Sequence, residues 1–439
     1  MSRQAYPKYK PSGIEWLGEI PAGWITVSVK RKYAIQLGKM LQNNPESDAD
    51  VSVPYIKALH VNWGKVNTSD LPEMWANPAE IGQFGVKSGD LLVCEGGEAG
   101  RAGIVSTLPT PCIIQNALHR VRGKDADVRF LQYVFHAVGS GGWFEVLCNK
   151  ATIAHFTREK LAELRMPLPL NIDEQRAIAA FLDRETARID ALIAKKQRQI
   201  ELLQGKRSAL ISHAVTKGLN PNAKMKDSGI EWLGEIPEHW EAMKIRRITK
   251  HHKQGYYTEE PYVDEGVKLV RITDIDDFGN ISFQNMPFVP ISESDEMAFK
   301  MIEGDFFFAR SGTVGRFGLA LNVERSVFAS YLIRFSFKVS QPLFIKWFLL
   351  SKYFKESLIS ALHGGANQNV HAENIMDQWI CIPPKDEQTA IAVFLNSETR
   401  IINNLISKIE ESIIKLHEYR ISLISAAVTG KIDVREEGS

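Results

Sequence analysis

Two arginines follow short glycine-rich loops at matching places in the two halves of the sequence. Arg101 follows the GEAG segment 97–100, and Arg316 follows the GTVG segment 312–315. Glycine allows a loop backbone to approach a ligand closely, and a guanidinium group donates paired hydrogen bonds to phosphate oxygens or to a guanine edge. The loops therefore favour contact with a hydrogen-bonding or anionic ligand. The alternative is a hairpin turn whose arginine faces water.

A second matched basic pair, Lys57 and Arg271, lies on or just beyond a predicted strand in each half. Near it, His60 and Asp274 occupy matching positions but differ in type. A residue that reads one ligand sequence is expected to differ between the copies, so all four residues are candidate contacts. The alternative for the basic pair is a solvated strand face.

The start of the second glycine loop also differs from that of the first. Arg310 and Ser311 stand where the first copy has Glu95 and Gly96, a difference that suits sequence reading better than shared phosphate contact. Amide and basic side chains in other predicted loops are further candidates for contact with adenine or with the backbone of a nucleic acid. These are Gln115, Asn116, Lys253, Gln368, Asn369 and His371.

These candidates lie within a long internal repeat. The segment Ser12–Pro21 recurs without a change as Ser228–Pro237, and the block Asp173–Leu182 recurs with two substitutions as Asp386–Leu395. The repeat is far longer than the unit of a solenoid, so it indicates two copies of a whole domain with its connecting helix. Two domains that share a scaffold but differ at the surface are expected to bind two different ligands.

The more constant part of each repeat predicts a long helix. No proline interrupts residues 174–214, and a helix of ~40 residues would extend ~60 Å. Apolar residues recur at the alternating three- and four-residue spacing of a coiled coil, so the two helices are expected to pair. The predicted seam consists of Ile178, Leu182, Ile189, Leu192, Ile200, Leu203 and Leu210, with Ile391, Leu395, Ile402, Leu405, Ile409, Ile413, Leu416 and Leu423.

Another set of apolar positions lies beside this seam and is predicted to bind partner proteins. The alternative is that these residues widen the seam or meet their own domains. They are Phe181, Ile193, Ile211, Phe394, Ile406 and Ile424.

The repeated blocks resemble those of type I restriction–modification specificity subunits. The resemblance rests on the SGIEWLGEIP opening followed by a tryptophan, on the DEQ…IA…FL start of each helix, and on the AVT at its end. It covers essentially the whole chain, and the ordered double occurrence is much more specific than any single motif.

This resemblance implies two target-recognition domains that each read a few base pairs of double-stranded DNA, held apart by an antiparallel coiled coil. Two modification subunits would dock on the coil, and restriction subunits would then join. S-adenosylmethionine would belong to the modification subunits, and ATP and Mg to the restriction subunits. We therefore expect no cofactor on this chain, which would be no enzyme by itself.

Missing motifs agree with a non-catalytic role. The sequence contains no NPP[YF] or DPPY tetrapeptide and no GxxxxGK[ST] loop, and it shows no convincing catalytic triad or metal cluster. The apolar runs are too short to span a bilayer and the first residues lack a signal peptide, so we expect a cytoplasmic protein. The net charge of +1 leaves a rival open, namely a scaffold whose repeated domains bind protein rather than DNA.

The predicted fold class is α+β, with two similar mixed α/β domains joined by the two long helices in a pseudo-twofold repeat. The predicted boundaries are 1–165 for the first target-recognition domain and 166–226 for the central helical region. Residues 227–380 would form the second recognition domain, and residues 381–439 the C-terminal helical region.

Overall fold

The computed structural model describes residues 4–109, 111–147, 155–311, 314–338, 341–362 and 369–435. The chain forms two compact units. Unit 1 comprises Met1–Lys196 and Glu411–Ser439, and unit 2 comprises Gln197–Glu410. Each unit therefore combines one copy of the predicted recognition domain with parts of both long helices. The four boundaries taken from the repeat stay a prediction.

Unit 1 is built around a mixed sheet whose strand order is Tyr33–Leu37, Leu118–Gly123, Leu91–Cys94, Ala102–Ile104 and Gly64–Lys65. A second sheet has the order Ile113–Ile114, Val51–Ile56 and Glu73–Ala76. Two further antiparallel pairs join Tyr9–Pro11 to Glu19–Pro21 and Trp24–Ser28 to Arg165–Pro169. The shorter helices are Val29–Lys32, Ala58–His60 (3-10), Pro78–Phe84, Val128–Ser140, Trp143–Leu147 and Arg158–Glu163.

Unit 2 repeats this plan. Its main sheet has the order Thr249–Gln254, Leu332–Phe337, Phe306–Ala309 and Phe317–Leu319, and its second sheet has Phe288–Val289, Val267–Val270 and Ser326–Phe328. The antiparallel pairs are Met225–Asp227 with Glu235–Pro237, and Glu241–Lys244 with Trp379–Ile382. The shorter helices are Ile245–Arg247 and Ile272–Asp274 (both 3-10), Glu293–Phe299, Pro342–Leu350, Lys352–Ser360 and Ala372–Met376.

The first long helix is Ile172–Lys217 and the second is Lys385–Val428. In unit 1 the early part of the first helix meets the late part of the second, where Asp190 lies 3.4 Å (Oδ1–Nε) from Arg420. In unit 2 the late part of the first meets the early part of the second, where Arg207 donates a 2.5 Å hydrogen bond to Asn403. The fold is therefore α+β with an antiparallel coiled coil, as predicted.

The repeated motifs attach each sheet domain to the start of its own long helix. The indole Nε1–H of Trp24 donates a 2.9 Å hydrogen bond to Glu174, and that of Trp240 donates one of 3.0 Å to Glu387. Both indoles are buried, at 1% and 0% exposure. A hydrogen bond of this kind is costly to lose, because a buried N–H without an acceptor keeps its full desolvation penalty.

The seam of the coil differs from the prediction at one matched pair of positions. Leu192 and Leu405 were expected in the seam, but they are 42% and 45% exposed. Their neighbours Ile193 and Ile406 are buried instead, at 6% and 8%. The heptad pattern permits either face at this point, because an isoleucine and a leucine stand side by side in both copies.

Among the described helices, none combines the length and the apolar character needed to cross a lipid bilayer.

Candidate nucleic-acid interface

The same backbone hydrogen bonds bring four chain segments together at one edge of the main sheet in each unit. In unit 1 the N–H of Glu95 donates to Ala117 (3.0 Å), and the N–H of Asn116 donates to Lys39 (2.8 Å). The carbonyl of Glu95 also accepts from the N–H of Phe156 at 2.7 Å. The loops that follow the strands Tyr33–Leu37 and Leu91–Cys94 therefore meet the loop that precedes the strand Leu118–Gly123. We call this edge the rim.

The rim of unit 2 has the same construction. The N–H of Arg310 donates to Tyr331 (2.9 Å), and the N–H of Val370 donates to the carbonyl of Arg310 (2.7 Å). The N–H of Tyr256 donates to Phe328 at 2.8 Å, as that of Lys39 donates to Ile114 in unit 1. Three backbone hydrogen bonds of the rim therefore join equivalent positions in both units.

A glycine makes this close approach possible in both units. A Cβ atom on Gly38 would lie 2.2 Å from the carbonyl oxygen of Gln115, and one on Gly255 would lie 2.1 Å from that of Ala329. Both contacts are with backbone atoms, which cannot move aside without disrupting the rim. The backbone of the rim is thus closely constrained in both copies.

Apart from this glycine pair, the side chains on the shared backbone differ between the two units. The pairs, with the unit 1 residue first, are Lys39 and Tyr256, Glu95 and Arg310, Gln115 and Ala329, Asn116 and Ser330, and Ala117 and Tyr331. An arrangement with one backbone and two sets of side chains is what two readers of different sequences require.

Several predicted contact residues lie at these rims. Gln115 and Asn116 are half-buried in unit 1, Arg310 is half-buried in unit 2, and Ser311 beside it is exposed. The guanidinium of Arg310 forms no hydrogen bond or ion pair with any residue that the structure describes. Asn369 immediately precedes Val370 at the same rim and is exposed.

The arginines of the glycine loops are held within their own units. Arg101 donates hydrogen bonds of 3.0 Å to Glu98 and of 3.0 Å to the carbonyl of Ala58. Arg316 donates one of 2.6 Å to Asp277. These bonds tie each glycine loop to a neighbouring segment, and they explain without any ligand why an arginine stands at both places. Contact of Arg101 and Arg316 with DNA stays a prediction.

The matched pairs Lys57–His60 and Arg271–Asp274 form equivalent caps. The N–H of Lys57 donates to Nδ1 of His60 (3.2 Å), and the N–H of Arg271 donates to Asp274 (2.8 Å). His60 is 8% exposed, and burial together with the charge of Lys57 lowers its pKa. The Asp274 carboxylate is also bonded by the guanidinium of Arg271. These contacts give His60 and Asp274 a capping role within their own units, and the base-reading role of both residues stays a prediction.

Of three further candidates, one packs within unit 2, one follows Val370 of the rim, and one cannot be placed. The ammonium group of Lys253 donates to the carbonyl of Ala298 (3.1 Å) and lies 3.9 Å from the ring centre of Phe299, so it packs within unit 2. His371 is exposed and begins the helix Ala372–Met376. Gln368 lies outside the described residues.

The positions predicted to bind partner proteins are mostly buried within the chain. Phe181, Ile193, Ile211, Ile406 and Ile424 are at most 8% exposed. Phe394 is half-buried against the core of unit 2. This burial supports the alternative, in which these residues widen the seam or meet their own domains, and partner binding at these positions stays a prediction. Leu192 and Leu405 are the matched exposed positions of the coil.

The sequence pattern did not single out two of the tyrosines at the rim of unit 2. Tyr262 and Tyr331 lie in a cleft there together with Tyr256 and Tyr257. The signal that could have revealed Tyr331 is its match with Ala117, which is visible only once the hydrogen bonds align the two loops.

Comparison with known proteins assigns the family. Residues 35–202 and 237–413 both match the model described as type I restriction modification DNA specificity domain. Together these matches cover more than half of the chain. The chain belongs to this family. The resemblance seen in the repeated motifs is thereby confirmed, and both copies of the repeat carry a specificity domain.

Similar proteins include specificity subunits from archaea and bacteria. The MjaVIII specificity subunit of Methanocaldococcus jannaschii is 26% identical over 314 residues, which cover 69% of this chain and 70% of that protein. The EcoBI specificity subunit of Escherichia coli is 20% identical, covering 95% of this chain and 88% of its own length.

Solved structures show the same fold. A chain from a study of complex assembly and conformational transition of the type I R-M system has a TM-score of 0.73 at 13% identity, covering 94% of this chain and 99% of that one. The HsdS subunit from Thermoanaerobacter tengcongensis has a TM-score of 0.56 at 15% identity, covering 94% of this chain and 98% of its own.

Proposed function

We propose that this chain is the DNA-specificity subunit of a type I restriction–modification complex, and that each rim reads one half of a bipartite site. The observation that carries the proposal is the pair of matched rims, in which one hydrogen-bonded backbone presents two sets of side chains. Because the sets differ, the two half-sites differ and the whole site is asymmetric. The coil sets the length of the unread spacer between them.

The partners follow from the repeat in the coil. A surface that occurs twice, in equivalent form, binds two copies of one partner. Leu192 and Leu405 provide such a pair of exposed apolar positions, and we propose that one modification subunit docks at each. Restriction subunits join this assembly, which works in the cytoplasm.

The chemistry belongs to those partners. The modification subunits carry S-adenosylmethionine and methylate adenine, and the restriction subunits use ATP and Mg. This chain contributes the choice of site and holds the catalytic subunits in place.

DNA binding by the complex with the modification subunit tests this function against the protein scaffold. A DNA reader is expected to bind duplex more weakly as salt rises, with a linear relation between log K and log salt, and to prefer one sequence over random DNA. A complex that assembles fully but shows no sequence preference would support the scaffold instead.

A further inference from the structure

The rim of unit 2 contains a cleft of about 390 Å³ lined largely by aromatic rings. Its lining includes Tyr256, Tyr257, Tyr262 and Tyr331, with Leu269 and Ala329. The side chains of Tyr257, Tyr262 and Tyr331 are 68%, 56% and 52% exposed. Three large rings in water at one edge of a sheet form an apolar surface that is available to a ligand.

Carboxylates beside the cleft disfavour phosphate as its ligand. Glu259 accepts a 2.7 Å hydrogen bond from the hydroxyl of Tyr257, and Glu260 is part of the lining. Their negative charge repels the DNA backbone. If this rim faces DNA, the cleft must therefore meet base edges in a groove, where charge is small and apolar groups are present.

Arg310 is bonded to Tyr331 through the backbone and adds to this rim a guanidinium that forms no hydrogen bond or ion pair with the residues that the structure describes. Its N–H is bonded to the carbonyl of Tyr331 at 2.9 Å, so ring and guanidinium start from adjoining backbone. In the major groove the apolar group is the C5-methyl of thymine, and the group that pairs with arginine is the guanine edge.

We propose that the tyrosine cleft reads thymine C5-methyl groups in the half-site of the second domain. This inference rests on the proposed function and goes further by naming the group that is recognised. Among the described residues of unit 1, neither matched position carries a ring, since Met40 and Ala117 occupy the positions of Tyr257 and Tyr331. The methyl-dependent reading is therefore confined to one half of the site.

Duplexes that carry deoxyuridine in place of thymidine test the proposal, because this exchange removes only the methyl group. The complex of the full chain with its modification subunit is titrated with duplexes substituted in one half-site at a time. Substitution in the second domain's half-site is expected to weaken binding by about fourfold for each methyl read, the effect of one buried methyl group. Substitution in the other half-site should change affinity much less.

The variant Tyr331→Ala links this effect to the cleft. It is expected to bind thymidine and deoxyuridine duplexes equally, whereas Tyr331→Phe keeps the ring and keeps the preference. Folding should be retained, because Ala117 already occupies the matched backbone in unit 1. Tyr419→Ala, at a tyrosine of the second long helix that is 47% exposed, is the matched control and should keep the preference.

The outcomes separate this inference from the proposed function. Two results would overturn the reading of methyl groups and leave the proposed function standing. One is a complex that recognises a bipartite site but tolerates deoxyuridine in the second half-site, and the other is a Tyr331→Ala variant that keeps the preference for thymidine. A complex with no sequence preference overturns both.

Discussion

The backbone N–H of Arg310 donates a 2.9 Å hydrogen bond to the carbonyl of Tyr331, and the equivalent bond of 3.0 Å joins Glu95 to Ala117 in the other unit. Unit 2 thus has an arginine where unit 1 has a glutamate. The charge is reversed, but the backbone hydrogen bond is the same. The two domains therefore present different side chains on equivalent backbones.

Arg310→Gln is expected to lower affinity for the specific site roughly tenfold or more, because an arginine paired with guanine contributes about 1–3 kcal/mol of discrimination. The effect should be confined to one half-site. Arg247→Gln is the matched control: this exposed arginine precedes the strand Thr249–Gln254, whereas the rim follows it. Binding is measured by titration at fixed salt, and equal losses in the two variants would show that Arg310 acts only through its charge.

Glu174→Ala is expected to destabilise unit 1 by about 1–3 kcal/mol, since it leaves the buried indole N–H of Trp24 without its acceptor. Glu387→Ala should do the same in unit 2 through Trp240. Denaturant unfolding of the full chain measures both, with Asp173→Ala, at an exposed neighbour, as the control. A loss no larger than that of the control would contradict the attachment of sheet domain to helix described above.

Acid should destabilise unit 1 through His136. Burial and then the positive charge of Arg420, whose Nη1 lies 3.0 Å from Nε2 of His136, lower the pKa of this imidazole from 6.5 to about 4. Between these values the unfolded chain binds a proton that the folded chain does not. The stabilising contribution is therefore present above pH 6.5 and is lost as pH falls toward 4, by up to about 1.4 kcal/mol per pH unit.

His136→Gln is expected to lose less stability than the wild type between pH 7 and pH 5, as measured by urea unfolding. If the profiles of His136→Gln and the wild type were parallel, His136 would not titrate as described.

Leu192→Glu combined with Leu405→Glu is expected to weaken assembly with the modification subunit at least tenfold, because a charge would enter each apolar contact. The chain should stay folded, since both side chains are over 40% exposed. Leu219→Glu, at a 42% exposed leucine beyond the first long helix, is the control. By contrast, Phe181→Asp should unfold unit 1, as this ring is 1% exposed. Undiminished assembly of the double variant would place the docking surface elsewhere.

The sequence predicts the helices well because they follow a local periodicity, and it predicts the repeat because whole blocks recur in the two halves of the chain. Heptad spacing identifies the coil, but it does not decide between Leu192 and Ile193, since both satisfy it. The sequence could not show that His60 and Asp274 form helix caps, because a helix cap and a base contact favour the same polar residue types. The rim depends on backbone hydrogen bonds between distant segments, such as that from Asn116 to Lys39, which no local pattern encodes.

Mapping of methylated adenine in DNA from cells that express this chain with its modification subunit tests the central claim most directly. We expect one asymmetric bipartite motif, whose two halves are separated by a spacer of unspecified sequence. Exchange of residues 25–165 for those of another family member should then change one half of the motif and leave the other half and the spacer intact. A continuous motif, or an exchange that alters both halves, would contradict the claim that each rim reads its own half-site.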